Sequence, residues 1–396
     1  MFRRIYLDNS ATTPIDSRVV EAMLPFLTEK FGNASSIHFF GQEARAAVDR
    51  ARHQVAELIN ARPNEIVFTS GGTEANNLAI RGLLEANDKY GRHIITSQIE
   101  HSAVKNVCEA LEKRGYEITY LPVYENGIVK IEDVRNAVRE DTILITIMTA
   151  NNEIGTIQPV EKIGKFVREL KESGKKIWFH TDAVQAVGKT PVDVEEIGCD
   201  LLSMSAHKIY APKGVGALYA RRGVRLHSQN LGGRQERERR GGTESVPLII
   251  AFGKACELAK ENLTESSNYI KSLRDKFEDG VAEKISDIVF NADREKRLPG
   301  ISNISFRYIE GEGLLINLDM QGVAVSTGSA CSSGSLEPSP VIRALGRNEE
   351  LARGAIRFSF GKDNTAEDVE YILEVLPKAV ENLRRLSPHY QQACAK

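Results

Sequence analysis

The sequence predicts an α/β protein: a large domain with a mainly parallel sheet flanked by helices, followed by a smaller α+β domain. Through the first two-thirds of the chain, short apolar runs alternate with segments of helical period. This alternation is typical of parallel sheets covered by helices. The pattern changes near residue 260, where a long charged helical stretch begins. The length of 396 residues also fits about two domains.

The elements follow from periodicity, taken in chain order. Helical period predicts helices over 43–58, 73–84, 102–114 and 159–172. Apolar runs predict strands over 65–69, 93–96, 117–122, 142–148, 176–180, 201–205 and 216–219. The last third predicts helices over 258–282, 312–320 and 366–386, with strands over 303–308 and 356–360. We therefore expect a large domain over 16–259 and a small domain formed by 1–15 and 260–396.

Composition and charge exclude several classes of protein. Hydrophobic residues make up 41% and charged residues 27%, as in ordinary globular proteins. The formal net charge of −2 gives no basis for binding nucleic acid or a membrane surface. No apolar run approaches the ~18 residues of a spanning helix, and the N-terminal residues lack the apolar core of a signal peptide. We expect a soluble cytoplasmic protein without nucleic-acid or membrane partners.

A glycine-rich turn, Ser70-Gly71-Gly72-Thr73, joins a predicted strand to a predicted helix. Glycines let backbone N–H groups approach an anion closely, and a helix N-terminus adds positive partial charge. The turn therefore suits a phosphate group. A plain Gly-Gly turn with Thr73 as the helix cap explains the same pattern equally well.

Two charged residues each follow a predicted strand. Asp182 comes after the strand over 176–180, and ligands of open α/β sheets bind beyond such strand ends. A carboxylate there suits a protonated pyridine nitrogen, although a helix-capping aspartate is the alternative. Lys208 follows the strand over 201–205. Lysines near a core are unusual, and desolvation would make this amine a Schiff-base nucleophile.

These residues lie in longer motifs that resemble the pyridoxal-phosphate enzymes of the aminotransferase-like, fold-type I superfamily. Within it, the sequence is similar to the cysteine desulfurases of the NifS/IscS type. The motifs are TSGGTEANN, EHSAV, NNEIG, HTDAVQAVGK, SAHKIYAPKG and STGSACSSGSLEPSPVIRALG. The resemblance runs from IYLDNSATTP near the N-terminus to the last helix. It implies pyridoxal 5'-phosphate as the cofactor and L-cysteine as the substrate.

The resemblance also implies a role for each matched residue. Lys208 would hold the cofactor through a Schiff base, and Asp182 would pair with the pyridinium nitrogen. Gln185 would bond the ring hydroxyl, and His101 would stack on the ring and shuttle protons. Asn152 would bond near the cofactor hydroxyl and the substrate carboxylate.

The remaining implied contacts concern phosphate, subunits and substrate. The cofactor phosphate would be held by Gly72, Thr73, Ser205 and His207. Thr243 would reach the phosphate of a neighbouring subunit, so the site implies a homodimer. Arg357 interrupts the apolar run AIRFSFG, and its guanidinium suits the substrate α-carboxylate. A strand arginine paired with a surface acid is the alternative for Arg357.

One cysteine differs from the others. The odd count of five and the absence of a C-x-x-C pair fit neither a disulfide framework nor a zinc site. Four are interpreted as small buried residues: Cys108, Cys199, Cys256 and Cys394. Cys331 has only small neighbours in STGSACSSGS, which predicts a mobile loop presenting a thiol.

The resemblance implies that Cys331 accepts sulfur from L-cysteine as a persulfide and that alanine leaves. The sulfur would then pass to an acceptor such as an iron–sulfur scaffold protein. Whether Cys331 is also a ligand of a [2Fe–2S] cluster shared with that scaffold stays open at this point.

Other functions remain open at this point. A selenocysteine lyase or another fold-type I aminotransferase would share the fold. A loop thiol has no use in an aminotransferase, but it does not exclude selenocysteine as substrate. A cofactor-free scaffold or sulfur-relay protein is a third reading, and the set Lys208, Asp182 and His101 argues against it.

Overall fold

The computed structural model describes residues 4–328, 337–388 and 390–391. Its strands are β1 (Ile5–Tyr6), β2 (Ile66–Thr69), β3 (His93–Ser97), β4 (Glu117–Leu121), β5 (Thr142–Thr146), β6 (Trp178–Asp182), β7 (Leu201–Ser205), β8 (Gly216–Ala220), β9 (Ile288–Phe290), β10 (Ile301–Phe306), β11 (Val323–Ala324) and β12 (Ala355–Ser359). Its helices are α1 (Ser17–Met23), α2 (Pro25–Thr28), α3 (Phe39–Leu58), α4 (Gly72–Asn77), α5 (Leu83–Asn87), α6 (Ser102–Glu112), α7 (Ile131–Ala137), α8 (Val160–Glu172), α9 (Val194–Ile197), α10 (Val246–Lys284), α11 (Gly311–Met320), α12 (Pro340–Ala344), α13 (Glu349–Arg353) and α14 (Ala366–Leu386).

A seven-stranded sheet forms the larger layer, in the order β2-β8-β7-β6-β5-β3-β4. Every pair in it is parallel except those of β8, which runs antiparallel to β2 and to β7. Every residue of β5 and of β7 is buried, as expected for strands covered on both faces. The mainly parallel α/β fold is thus confirmed. The carboxyl ends of β2, β5, β6 and β7 lie along one edge of this sheet.

A second, antiparallel sheet is built from later residues, in the order β9-β10-β12. Its core includes Phe277 of α10, whose ring lies 4.7 Å from that of Phe358 in β12. The first residues of the chain also belong here, because β1 pairs in parallel with β11. This is the smaller α+β part that the sequence predicts.

The long helix α10 differs most from expectation. It begins at Val246, whereas the sequence analysis places its start at residue 258. Pro247 fits the first turn, where no N–H is needed for the helix, and Phe252 and Cys256 of this first part are fully buried. The expected domain limit between 259 and 260 falls inside α10, so the division at that point stays a prediction.

The helix expected over 73–84 is also less regular than predicted. After α4 the chain widens into a π-helical turn over Leu78–Gly82 before α5. The amide of His227 donates to the carbonyl of Gly82 at 2.9 Å, from outside the helix. No helix in the described part of the chain is both long and apolar enough to cross a bilayer.

We predict that Gly164→Ala destabilises the fold. Gly164 of α8 lies against the end of α9, where an added Cβ would be 1.7 Å from the carbonyl oxygen of Ile197. Relieving that overlap requires the two helices to separate, so we expect the thermal midpoint to fall by about 5 °C.

The matched control is Gly313→Ala in α11. An added Cβ there would lie 3.5 Å from Leu383 Cδ2, an ordinary contact, and alanine favours the helix by roughly 0.5–1 kcal/mol over glycine. We expect this variant to melt at or above the wild-type midpoint. Equal melting of both variants would contradict the packing argument.

Candidate active site

A cavity of about 370 Å³ lies at the carboxyl edge of the large sheet. It brings together most of the residues that the sequence analysis selects: Gly72, Thr73, His101, Asn152, Asp182, Gln185, Ser205, His207, Lys208 and Arg357. Ser10, Asn76 and Gly328 also line it. Thr243 is exposed and lies outside this cavity. Cys331, which is also the candidate cluster ligand, lies outside the described residues.

Asp182 is the last residue of β6 and is only 5% exposed. Its Oδ2 accepts a hydrogen bond from Asn76 Nδ2 at 2.7 Å, and its Oδ1 accepts from the amide of Val184 at 3.0 Å. Both donors are neutral, so the carboxylate is oriented without being neutralised by them. Asn76, which fixes this orientation from α4, is absent from the sequence-derived candidates.

The side chain of Lys208 is directed by the N-terminal segment of the chain. Its Nζ donates to the carbonyl oxygens of Ser10 and Ala11 at 2.6 and 2.7 Å. Two residues on, Tyr210 has a φ of +65°, and its amide donates to Thr13 Oγ1 at 2.8 Å. The turn after β7 is therefore fixed to residues that precede it by almost two hundred positions.

Gln185 is held at both ends of its amide. Its Nε2 donates to the carbonyl of Ser10 at 2.9 Å, and its Oε1 accepts from Lys189 Nζ at 2.9 Å. Burial and the nearby positive charge of Lys208 lower the pKa of Lys189 to about 7. Because Lys189 takes the oxygen, the NH₂ group is the part of Gln185 that faces Ser10.

The glycine turn and the end of β7 form one corner of the cavity. An added Cβ at Gly72 would lie 2.7 Å from Val184 Cγ2, so the close packing here requires glycine. The cap of α4 is Gly71, so the interpretation of Thr73 as helix cap is wrong. Burial and the charge of Lys208 lower the pKa of His207 to about 4. This imidazole is therefore neutral at pH 7, with Nδ1 3.2 Å from Thr12 Oγ1.

His101 is both a helix cap and a residue that lines the cavity. It is the N-cap of α6, where its Nδ1 accepts from the amide of Ala103 at 3.1 Å, and it also lines the cavity. With Nδ1 as the acceptor, the proton of the neutral ring resides on Nε2. The cap thus fixes the tautomer as well as the helix.

Arg357 lies in the middle of β12 and is 3% exposed. Its Nη2 donates to Asp8 Oδ1 at 2.6 Å, and its Nη1 donates to the carbonyl of Asn152 at 2.9 Å. Its Nε is buried and has no hydrogen-bond partner among the described residues. The ion pair with Asp8 resembles the alternative interpretation, in which a strand arginine pairs with an acid. Arg357 nevertheless lines the cavity, and its Nε is a donor without a partner among the described residues.

The described cysteines fit the structural interpretation. Cys108, Cys199 and Cys256 are buried, and burial raises the pKa of each thiol, to about 12 for Cys108. Cys394 lies outside the described residues. Within the ranges that the structure describes, no cluster of three or more His, Cys, Asp or Glu side chains is placed to hold a metal ion.

Glu100, beside His101, is a buried carboxyl group that the sequence analysis does not select. Its Oε1 accepts from Ser97 Oγ at 2.7 Å and from the amide of Met148 at 2.9 Å. Its Oε2 is buried without a hydrogen-bond partner among the described residues. Burial raises the pKa of Glu100 to about 8, so the group is mainly protonated at pH 7.

We predict that Glu100→Gln preserves the fold and alters its pH dependence. The amide keeps the accepting oxygen, and it has no proton to lose. Because the pKa of Glu100 is raised above its unfolded value of about 4.3, wild-type stability falls as pH rises from about 4 to 8. The thermal midpoint of the variant, minus that of wild type, should therefore increase between pH 5 and 8. A difference that is flat or decreasing with pH would contradict the protonated state.

The chain is similar to known proteins over nearly its whole length. Residues 5–372 match the family model of class-V aminotransferases. The chain is 53% identical to cysteine desulfurase IscS of Dictyoglomus turgidum over 99% of this chain and 98% of that protein. A solved NifS-like protein superposes with a TM-score of 0.89 at 39% identity, covering 96% of this chain and 100% of that one. SspA, solved in complex with cysteine, gives a TM-score of 0.80 at 36% identity over 91% of this chain and 100% of its own. The chain belongs to the class-V aminotransferase family.

Proposed function

We propose that this protein is a pyridoxal-phosphate-dependent cysteine desulfurase that converts L-cysteine to L-alanine and transfers the sulfur to Cys331. One observation carries the proposal. A single cavity contains Lys208, Asp182 and Arg357 and also Gly328, which precedes Cys331 by three residues. The names of the relatives support it, because the IscS protein of Dictyoglomus turgidum is a cysteine desulfurase.

The residues present fit pyridoxal phosphate. The volume of about 370 Å³ is in the range of small-molecule sites, roughly 300–1,000 Å³. Asp182 supplies a carboxylate for a pyridinium nitrogen, and the turn at Gly72 with Ser205 supplies donors for a phosphate. Asn76 Oδ1 is a further buried acceptor without a partner among the described residues. When bound, the cofactor supplies an electron sink for negative charge that develops on the substrate.

The side chains around the proposed cofactor position have different roles. Lys208 would bind the cofactor through its Nζ, which donates to the carbonyls of Ser10 and Ala11. Asp182 would pair with the ring nitrogen and favour its protonated form. His101 carries its exchangeable proton on Nε2, because the amide of Ala103 occupies Nδ1. Gln185 acts as a donor through its NH₂ group, because its oxygen already accepts a hydrogen bond from Lys189.

Arg357 is the proposed anchor of the substrate α-carboxylate. Its buried Nε lacks a partner among the described residues, so a bound carboxylate would satisfy a donor that is otherwise left unpaired. Asp8 holds one Nη group at 2.6 Å and keeps the guanidinium plane fixed. The solved complex of SspA with cysteine supports this substrate class.

Cys331 is the proposed sulfur acceptor. The described cysteines are buried, and their raised thiol pKa values leave little thiolate at neutral pH. Cys331 follows Gly328, which lines the cavity, by three residues. In the net reaction the Cys331 thiol gains a sulfur atom as a persulfide, and the substrate loses that sulfur and retains its hydrogens as alanine. The sulfur is oxidised and the substrate carbon is reduced, so no external oxidant is needed.

We propose an iron–sulfur scaffold protein, or another sulfur acceptor, as the partner that receives the persulfide sulfur. The resemblance to the NifS/IscS type supports this sulfur acceptor.

A homodimer in which Thr243 reaches the cofactor phosphate of the other subunit is the proposed active form. Six large apolar side chains between residues 24 and 40 are exposed and support this dimer: Leu24, Leu27, Phe31, Ile37, Phe39 and Phe40. Arg45, in the same helix, pairs with Glu244 next to Thr243 at 3.1 Å.

We predict that Cys331→Ser keeps cofactor binding and loses sulfur transfer. A serine hydroxyl is almost entirely protonated at neutral pH and cannot accept the sulfur, so alanine release should fall by more than about a hundredfold. Labelled cysteine and mass spectrometry of the peptides would locate the persulfide. Label on Cys108, Cys199, Cys256 or Cys394, with undiminished alanine production in the variant, would disprove this assignment.

We predict that Phe39→Asp weakens the dimer. Phe39 is 72% exposed, and an acid at the first residue of a helix favours the helix, so the chain itself should fold normally. We expect the dimer dissociation constant to rise at least about tenfold, measured by sedimentation velocity. Ile316→Asp is the control, because Ile316 is 58% exposed on α11. A monomeric wild type, or equal effects of both variants, would rule out this surface.

A further inference from the structure

Two residues that flank the segment over 329–336 lie beside one buried carboxyl group. Glu153 is 7% exposed, and its Oε2 accepts from Ser339 Oγ at 2.6 Å. On the other side, an added Cβ at Gly328 would lie 2.8 Å from the same Oε2. Gly328 has a φ of +83°, a backbone conformation that favours glycine. Ser339 therefore bonds to the same oxygen that lies beside Gly328, 11 positions earlier in the chain.

Glu153 is itself rigidly placed beside the substrate end of the cavity. Its amide donates to Asn151 Oδ1 at 2.8 Å, and its carbonyl accepts from Asn303 Nδ2 at 3.2 Å. The preceding residue, Asn152, accepts from Arg357 Nη1 at 2.9 Å. The carboxylate is thus one residue away from a contact of the proposed substrate anchor.

Both flanks of the segment over 329–336 also form hydrogen bonds that do not involve Glu153. Before it, Gly328 donates to Ser326 Oγ at 3.1 Å, and Ser326 pairs through its backbone with Arg357 at 2.7 and 3.2 Å. After it, Ser339 caps α12, with Oγ accepting from the amides of Val341 and Ile342 at 3.1 and 3.3 Å. Glu153 therefore lies between Gly328, which is fixed to the strand of Arg357, and Ser339, which is fixed to α12.

Keeping a carboxylate at this place has a cost in stability. Burial raises the pKa of Glu153, while the hydroxyl of Ser339 and the charge of Arg357 oppose that rise. A buried acid is less favourable than an apolar side chain of similar size. Residues that break a local rule in this way are expected at functional sites.

We infer that Glu153 is a positioning residue for sulfur transfer, which holds the Ser339 flank of the segment carrying Cys331 beside Gly328 and the Arg357 end of the cavity. The inference rests on the proposed function. Cys331 follows Gly328 by three residues and precedes Ser339 by eight, so both flanks lie close to it in the sequence. Loss of Glu153 should slow the transfer step and leave binding of L-cysteine nearly unchanged.

The test compares Glu153→Ala, Glu153→Gln and Ser339→Ala in the holoenzyme. Single-turnover quenching measures persulfide on Cys331, and absorbance titration measures L-cysteine binding. We expect Glu153→Ala and Ser339→Ala to slow persulfide formation at least about tenfold, a change of roughly 1.4 kcal/mol, with affinity altered less than about twofold. Glu153→Gln keeps an accepting oxygen for Ser339 and should recover to within about threefold of wild type.

Glu65→Ala is the matched control, because Glu65 is another buried glutamate that accepts backbone hydrogen bonds, from Arg62 and Arg222, away from the cavity. It should lower stability without slowing transfer. Hydrogen exchange supplies a readout without substrate: peptides over 326–340 should exchange faster in Glu153→Ala and unchanged in Glu65→Ala.

Wild-type transfer rates in Glu153→Ala would overturn the inference. So would equal losses of rate and affinity, or slow transfer in Glu65→Ala. A wild type that forms no persulfide on Cys331 would instead refute the proposed function. In that case the exchange measurement still decides whether Glu153 holds the Ser339 flank, and unchanged exchange in Glu153→Ala would refute that as well.

Discussion

The main-chain carbonyl of Ser10 holds two side chains of the cavity at once, Lys208 Nζ at 2.6 Å and Gln185 Nε2 at 2.9 Å. The segment that carries this carbonyl is tied to the small sheet as well, through Asp8 and Arg357 and through the amide of Ser359, which donates to Leu7 O at 2.7 Å. A short N-terminal segment therefore connects the large sheet to the small one across the cavity. The cavity is complete only when residues from the beginning, middle and end of the chain are in place together.

This dependence explains how a parallel sheet produces a polar site in an otherwise apolar interior. The strands bury their own residues, and their carboxyl ends deliver Asp182 and Ser205 to one edge. Each polar group is then oriented by a neighbour: Asn76 for Asp182, Lys189 for Gln185, and the first turn of α6 for His101. Two residues that line the cavity carry buried atoms without a partner among the described residues, Arg357 Nε and Asn76 Oδ1, and a bound molecule would satisfy them.

Sequence alone could predict the residues whose signal is local. Asp182 and Lys208 each come after an apolar run of strand length. The alternation of such runs with helical segments predicts the mainly parallel sheet. Asn76 and Lys189 could not be selected in this way, because their importance comes from contacts with side chains brought near by folding. Short elements such as α2 and α9, of four residues each, carry too few residues for a periodic signal. The start of α10 at Val246 does not follow from the sequence, because Pro247 in its first turn resembles an interruption of the helical periodicity.

The central claim is that one cavity activates L-cysteine and that Cys331 alone receives its sulfur. A single-turnover experiment without added thiol tests it most directly, by measuring alanine released and sulfur bound per subunit. With no more than one L-cysteine per subunit, the account predicts one additional sulfur atom on the peptide that contains Cys331 for each alanine released. Alanine release with Cys331 unmodified, or with the sulfur on another cysteine, would contradict it.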